Sequence, residues 1–326
     1  MNIRAKLTAK AYSAVNLAVA YATATTPKRI HPGWYVCRSL YGMRDAPSGP
    51  YFARAILTSH WRCALLMRYV LQLTRPQLRT FLEDNVSYEG AAYAQHVFNG
   101  QRPVILASPH YGPAQIGFIA AVHRMSGRRA LNLFYDAEHP AASGLTLLFE
   151  RGGIDTTTLL GGFSGVLAAI RALMQNEYLV MMPDAFDDIA NTLAVPFFGR
   201  MMRVAAGTAF FALRTSAWVV PVVALPTRRL GVHVIVGRPI DPNRFAPLEE
   251  SQAIFLLNRL LFASFEREIR RAPEHWRNWP LFPRISTGVE PPGRLEDDAP
   301  LRLLKDKCEV SPELVEDVPE LEMLVK

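Results

Sequence analysis

The chain has 326 residues, half of them hydrophobic, with 36 basic and 29 acidic side chains and a formal charge of +7. That balance excludes a disordered chain and allows a substantial buried core. The charge is uneven: residues 287–326 hold eleven acids and five bases, so residues 1–286 carry 31 bases against 18 acids. Such a basic body calls for an anionic partner: a membrane surface, an acidic carrier protein or a phosphorylated substrate. Neither zinc-finger spacing, an RNP-type aromatic signature nor a Lys/Arg block accompanies the charge, so nucleic acid is not an expected partner. Cys37, Cys63 and Cys308 are widely separated, without a disulfide or metal framework, which fits a reducing compartment.

In chain order, residues 1–50 come first as a basic segment. Arg4, Lys6, Lys10, Lys28, Arg29, Arg38 and Arg44 occur there with no acid before Asp45, and residues 11–24 are Ala-rich. A spanning helix needs about 20 apolar residues, and this run is shorter and broken by Asn16. The expectation is an interfacial helix at a membrane surface, with a cleaved leader or a helix packed on the body as alternatives. A second apolar helix, over residues 56–73, contains Arg62 and Arg68, which favours a buried or groove-lining position.

From Pro103 onward short apolar runs alternate with helical segments. Strands are predicted at 104–107, 130–134, 178–182, 219–225 and 232–236, and helices at 115–125, 141–151, 164–175, 204–215 and 248–271. This is the pattern of an α/β domain, a mixed sheet flanked by helices, over residues 51–286. Residues 287–326 read as an acidic, Pro-rich tail.

The first predicted strand ends in Ser108-Pro109-His110-Tyr111-Gly112-Pro113-Ala114-Gln115, with a helix just after. A His there lies at the carboxyl end of a strand, where open α/β sheets form their ligand crevice. By itself such a His is more often structural. Downstream stand Met182-Pro183-Asp184-Ala185, Val195-Pro196-Phe197-Phe198-Gly199-Arg200, Ala217-Trp218-Val219-Val220-Pro221 and Pro273-Glu274-His275-Trp276-Arg277-Asn278-Trp279. In that order and at those separations, over about residues 50–282, they resemble the lipid A biosynthesis acyltransferases, which transfer lauroyl or myristoyl chains within the lysophospholipid acyltransferase superfamily.

The resemblance implies a glycerolphosphate acyltransferase-like fold and an acyl thioester donor, on acyl carrier protein or coenzyme A, with no further cofactor. The acceptor would be a hydroxyl or amine of a lipid A-type molecule, another lipid or a specialised metabolite, and the site would face the cytoplasmic side of the inner membrane. The family's His is the general base and is followed five positions later by an acid that orients it; this chain has Gln115 there. His suits the task because its pKa lies near working pH. An amide can fix the ring but cannot balance an imidazolium, and in serine proteases the equivalent change costs about 10⁴ in turnover. Three readings stay open: a slow or specialised transferase, an acid supplied by Asp184, Asp187 or Asp188, and a non-catalytic lipid-binding or scaffolding homologue.

The resemblance also makes Arg151 a candidate oxyanion stabiliser, with a solvated helix-end Arg as the plainer alternative. Arg200 and Arg203, beside Phe197, Phe198 and Gly199, are placed to hold an anionic headgroup or a pantetheine phosphate, unless the two Phe are core residues of a hairpin. Tyr111 and Gly112 are assigned to substrate binding beside His110. Gly161-Gly162-Phe163-Ser164-Gly165 fails the nucleophile-elbow frame at Val166. The acidic residues 184–188 lack a calcium-loop glycine, and His123 and His139 lack ligand spacing, so no metal is expected.

Overall fold

A computed structural model describes residues 6–12, 14–15, 49–125, 130–135, 140–184, 192–279 and 281–288. Most of the basic N-terminal segment, His139, Asp187, Asp188 and all but the first two residues of the acidic tail fall outside these. The first described residues are helical, and Tyr12 buries itself in the body and donates its hydroxyl hydrogen bond to the Thr227 carbonyl. Helices α1 (Gly49–Val70) and α2 (Arg75–Asp84) follow, then β1 (Val86–Glu89), α3 (Ala91–Asn99) and β2 (Val104–Ala107). No described helix is long and apolar enough to cross a membrane.

The central pattern then runs α4 (Ala114–Met125), β3 (Leu131–Tyr135), α5 (Pro140–Arg151), β4 (Thr156–Leu160), α6 (Gly162–Met174) and β5 (Tyr178–Met181). A hairpin of β6 (Thr192–Phe197) and β7 (Arg200–Ala205) leads to α7 (Gly207–Thr215), β8 (Trp218–Pro226) and β9 (Val232–Val236). The long helix α8 (Glu250–Arg271), a 3-10 turn at Pro273–His275, the short α9 (Phe282–Ile285) and β10 (Ser286–Gly288) complete the described chain.

Seven strands form one mixed sheet in the order β1-β9-β8-β2-β5-β3-β4. Five run parallel; β9 is antiparallel to β8 and carries β1 parallel to itself. Strands β2 and β5 are apolar and buried at every position, as strands covered on both faces must be. Their side chains alternate between faces. Ile105, Ala107, Leu179 and Met181 join a core with α7 and α8, while Val104, Leu106, Tyr178 and Val180 join another with α1 and α4.

The second sheet, β10-β7-β6, is antiparallel. Residues 204–215, expected as one helix, divide: Val204 and Ala205 end β7, and α7 begins at Gly207. The two-residue loop Phe198-Gly199 has both φ values positive (51° and 68°), which suits the twist of a tight hairpin. Strand β10 pairs Thr287 with Met201 and Gly288 with Arg200.

Candidate active site

Strands β2 and β5 are parallel neighbours with Ala107 opposite Met181. Three residues on from each partner come His110 and Asp184, so the sheet register carries the two to one crevice at the carboxyl edge. Asp184 is fully buried. Its Oδ1 lies 2.8 Å from His110 Nδ1, and the His110 backbone N–H donates to Oδ1 and Oδ2 at 3.0 and 2.8 Å.

Two more donors hold the carboxylate. Trp276 Nε1 and Asn278 Nδ2 each reach Oδ2 at 3.0 Å, and Asn278 Nδ2 also donates to the Asp184 carbonyl at 2.9 Å. An ionised carboxylate only accepts hydrogen bonds. The arrangement therefore puts the proton of a neutral His110 on Nδ1 and its lone pair on Nε2. The imidazole is one-third exposed while Asp184 is sealed beneath it.

The loop that carries His110 is pinned to residues 275–277. The Arg277 N–H donates to the His110 carbonyl at 2.9 Å, the Gly112 N–H donates to the His275 carbonyl at 2.9 Å, and Tyr111 bridges to Trp276. Gly112 is required here: its φ is +55°, and a Cβ would lie 2.0 Å from the Ala224 carbonyl oxygen. On the far side, Ser59 Oγ of α1 meets His275 Nδ1 at 2.5 Å. Burial first, then the charge of Arg62, pushes the His275 pKa down to about 4, so His275 is a neutral strut between α1 and the loop.

Several expected positions are corrected. The ring nitrogen of His110 faces Asp184 rather than Gln115, because Gln115 is already in the first turn of α4 while the loop turns the imidazole toward β5. Arg151 is at the opposite edge of the sheet: α5 runs back to the start of β4, and the Arg151 guanidinium donates to the Leu71 carbonyl. An oxyanion role beside His110 is thereby lost.

Tyr111 is fully buried and its hydroxyl donates to the carbonyls of Glu268 and Ala272 at 3.1 and 2.9 Å, so it anchors α8 rather than a substrate. Phe197 and Phe198 are core residues, packed against Trp276 at centroid distances of 5.4 and 6.1 Å. Gly199 only completes their turn. Arg200 donates from Nε to Ser286 Oγ at 2.9 Å and so ties β7 to β10, and Arg203 is exposed on β7. The hairpin backs Trp276, and the Ala205 N–H at the end of β7 donates to the Pro183 carbonyl beside Asp184 at 3.1 Å.

Trp276 and Asn278 are the residues whose roles the sequence did not disclose. Their signal was the closing Pro-Glu-His-Trp segment, conspicuous as a motif but silent about which side chains turn inward. Among the described residues no group of three or more His, Cys, Asp or Glu side chains could hold a metal ion.

Residues 79–279 match the family described as bacterial lipid A biosynthesis acyltransferase. Comparison with curated proteins gives no match.

Proposed function

The chain belongs to the bacterial lipid A biosynthesis acyltransferase family, and from that premise we propose that it moves a fatty acyl group from an acyl thioester to a lipid acceptor with His110 as general base. Acyl transfer to a lipid is what the family implies. The observation that carries the mechanism is the buried Asp184 carboxylate on His110 Nδ1. It fixes the tautomer that leaves Nε2 basic and balances the imidazolium formed when Nε2 takes a proton.

In the proposed step the acceptor hydroxyl or amine gives its proton to Nε2 as its oxygen or nitrogen attacks the thioester carbonyl. The tetrahedral intermediate collapses, the C–S bond breaks, and the thiolate recovers the proton from His110. The donor is proposed to be acyl carrier protein or coenzyme A, with the basic body favouring the acidic carrier. The acceptor is a lipid A-type or other lipid, or a specialised metabolite, met at the cytoplasmic face of the inner membrane with residues 1–44 supplying cationic contacts. The reading as a non-catalytic homologue rested on the amide at 115 and loses its main support once a carboxylate serves the ring.

The test is single-turnover acyl transfer from a lauroyl thioester to a lipid acceptor, following thiol release. Wild type should turn over and His110→Ala should not, with melting curves unchanged. Equal thiol release by both proteins would remove His110 from the chemistry.

A further inference from the structure

Helix α1 has three arginines, Arg54, Arg62 and Arg68, and no acid. One of its faces is committed to the body. Ile56, Ser59, Cys63, Leu66 and Val70, at helical spacing, are buried, and Ser59 meets the His275 strut that holds the His110 loop. The other face is apolar at its centre. Trp61 is 56% exposed, and Leu57 and Leu65 stand half-buried four residues to either side of it. Arg68 is exposed one turn further along the same stripe, since positions three, four and seven apart share a helix face.

The N-terminal helical residues extend this surface. Tyr12 shares one core with Leu66 and Val70 of α1. Burial raises its hydroxyl pKa to about 12 against the opposing charge of Arg62, so the two segments lie side by side. Lys6, Leu7 and Lys10 are exposed there, Leu7 at 61%. Residues 6–15 and 49–70 contain no acid.

Charge separates this surface from the other exposed apolar stripe. Helix α6 turns Phe163, Leu167 and Met174 outward, but its single charged residue is Arg171. On α1 and the N-terminal residues, an aromatic ring and aliphatic side chains stand among bases alone. That combination matches the interface of an anionic bilayer, where Trp settles at headgroup depth and Lys and Arg meet phosphates. We infer that the outer face of α1, with Trp61 at its centre and Lys6, Leu7 and Lys10 beside it, docks on an anionic lipid bilayer and sets the His110 loop beside the headgroups. A bilayer is favoured over an acidic protein because the crevice tied to α1 through Ser59 and His275 takes a lipid acceptor. The inference rests on that proposed reading, and binding measured without acyl donor lets the two fail separately.

The experiment is co-sedimentation of full-length proteins with vesicles of phosphatidylglycerol and phosphatidylcholine. Trp61→Ala should weaken binding at least about fivefold, the effect of losing part of the ring's apolar burial. Apolar contact is not screened, so this loss should persist as salt rises from about 0.1 to about 1 M. Trp61→Phe should keep most of the binding, and Phe163→Ala and His110→Ala should bind as wild type does. Trp61 is largely exposed, so matching melting curves will show that the variants fold. Lipids with brominated chains should quench the tryptophan fluorescence of wild type more than that of Trp61→Phe.

Equal vesicle binding by wild type and folded Trp61→Ala, or equal quenching of wild type and Trp61→Phe, overturns the inference. A loss in Phe163→Ala as large as that in Trp61→Ala overturns the assignment to α1. Binding of an acidic carrier protein that Trp61→Ala weakens, with no binding to vesicles, overturns the choice of a bilayer.

Discussion

Asp184 is an acid that accepts donors from four groups of three residues, two of which, Trp276 and Asn278, lie more than ninety positions away. Replacing it by Asn keeps the shape and removes the charge, so Asp184→Asn should lower single-turnover acyl transfer by about 10²–10⁴. Gln115→Glu should change the rate by less than about threefold, because the ring already has its carboxylate. A large gain on adding Glu at 115 would contradict that assignment. His275 gives a pH prediction. Its pKa is about 4 in the fold against an ordinary 6.5, so between those values the unfolded chain binds the extra proton and stability falls as pH falls. The contribution is complete above about pH 6.5 and amounts to at most ~3 kcal/mol, lost progressively toward pH 4. Glu274, whose pKa burial raises and whose carboxylate lies 3.7 Å from His275 Nε2, trends the other way. Denaturant melts at pH 7 and pH 4.5 should therefore show a larger acid loss for wild type than for His275→Gln; equal losses would refute it. His110 itself was legible because it follows an apolar strand directly. Its partner was legible only as one of three acids, since choosing among Asp184, Asp187 and Asp188 needs the β2–β5 register.

The elements divide by how local their signals are. Strands β2 and β9 coincide with the apolar runs that announced them, and β3, β5, β8 and the helices α4, α5, α6 and α8 lie within a few residues of expectation. Strand β4, Thr-Thr-Thr-Leu-Leu, is a polar edge strand whose pairing to β3 makes it regular, so its sequence shows little periodicity. The hairpin was harder still: Phe198 in a left-handed conformation is foreign to an aromatic side chain. Burial among Trp276, Trp279 and Phe282, and a 2.8 Å hydrogen bond from its N–H to the Glu266 carboxylate, hold it there. Two glycines allow a direct comparison at this scale. Gly199 has φ +68° with open space around a would-be Cβ, whereas Gly112 has φ +55° and a carbonyl oxygen 2.0 Å away. Gly199→Ala should cost only the left-handed penalty, about 1–2 kcal/mol. Gly112→Ala must also push the His110 loop off β8, so it should destabilise by about 3 kcal/mol or more and cut acyl transfer more than tenfold. Similar effects of the two substitutions in chemical melts would show that the loop is not wedged against β8.

At the scale of the whole molecule, the crevice of His110 and Asp184 occupies the carboxyl end of β2. The 13 surplus positive charges of residues 1–286 are spread along the chain and are not confined to that crevice. Composition alone disclosed that excess, but where it acts depends on packing. Tyr12 shows why. The N-terminal helical residues send this ring into the core while Lys6 and Lys10 stay exposed, so one segment both packs on the body and presents cations outward. Deleting it would uncover part of the core and confuse instability with lost membrane contact. A cleaner test leaves Tyr12 in place and neutralises Lys6, Lys10, Lys28 and Arg29 to Gln. Each basic residue near an anionic surface is worth up to about 1 kcal/mol, so four changes should weaken co-sedimentation with phosphatidylglycerol-containing vesicles at least about tenfold at low salt. Raising salt from 0.1 to 1 M shortens the screening length from about 10 to about 3 Å; wild-type binding should fall toward that of the variant, and the variant should respond little. Neutral phosphatidylcholine vesicles should bind both proteins alike. If the two proteins bind anionic vesicles equally at 0.1 M salt, with the same melting curve, the basic segment does not direct this chain to the membrane, and its charge must be assigned to another anionic partner such as the acyl carrier.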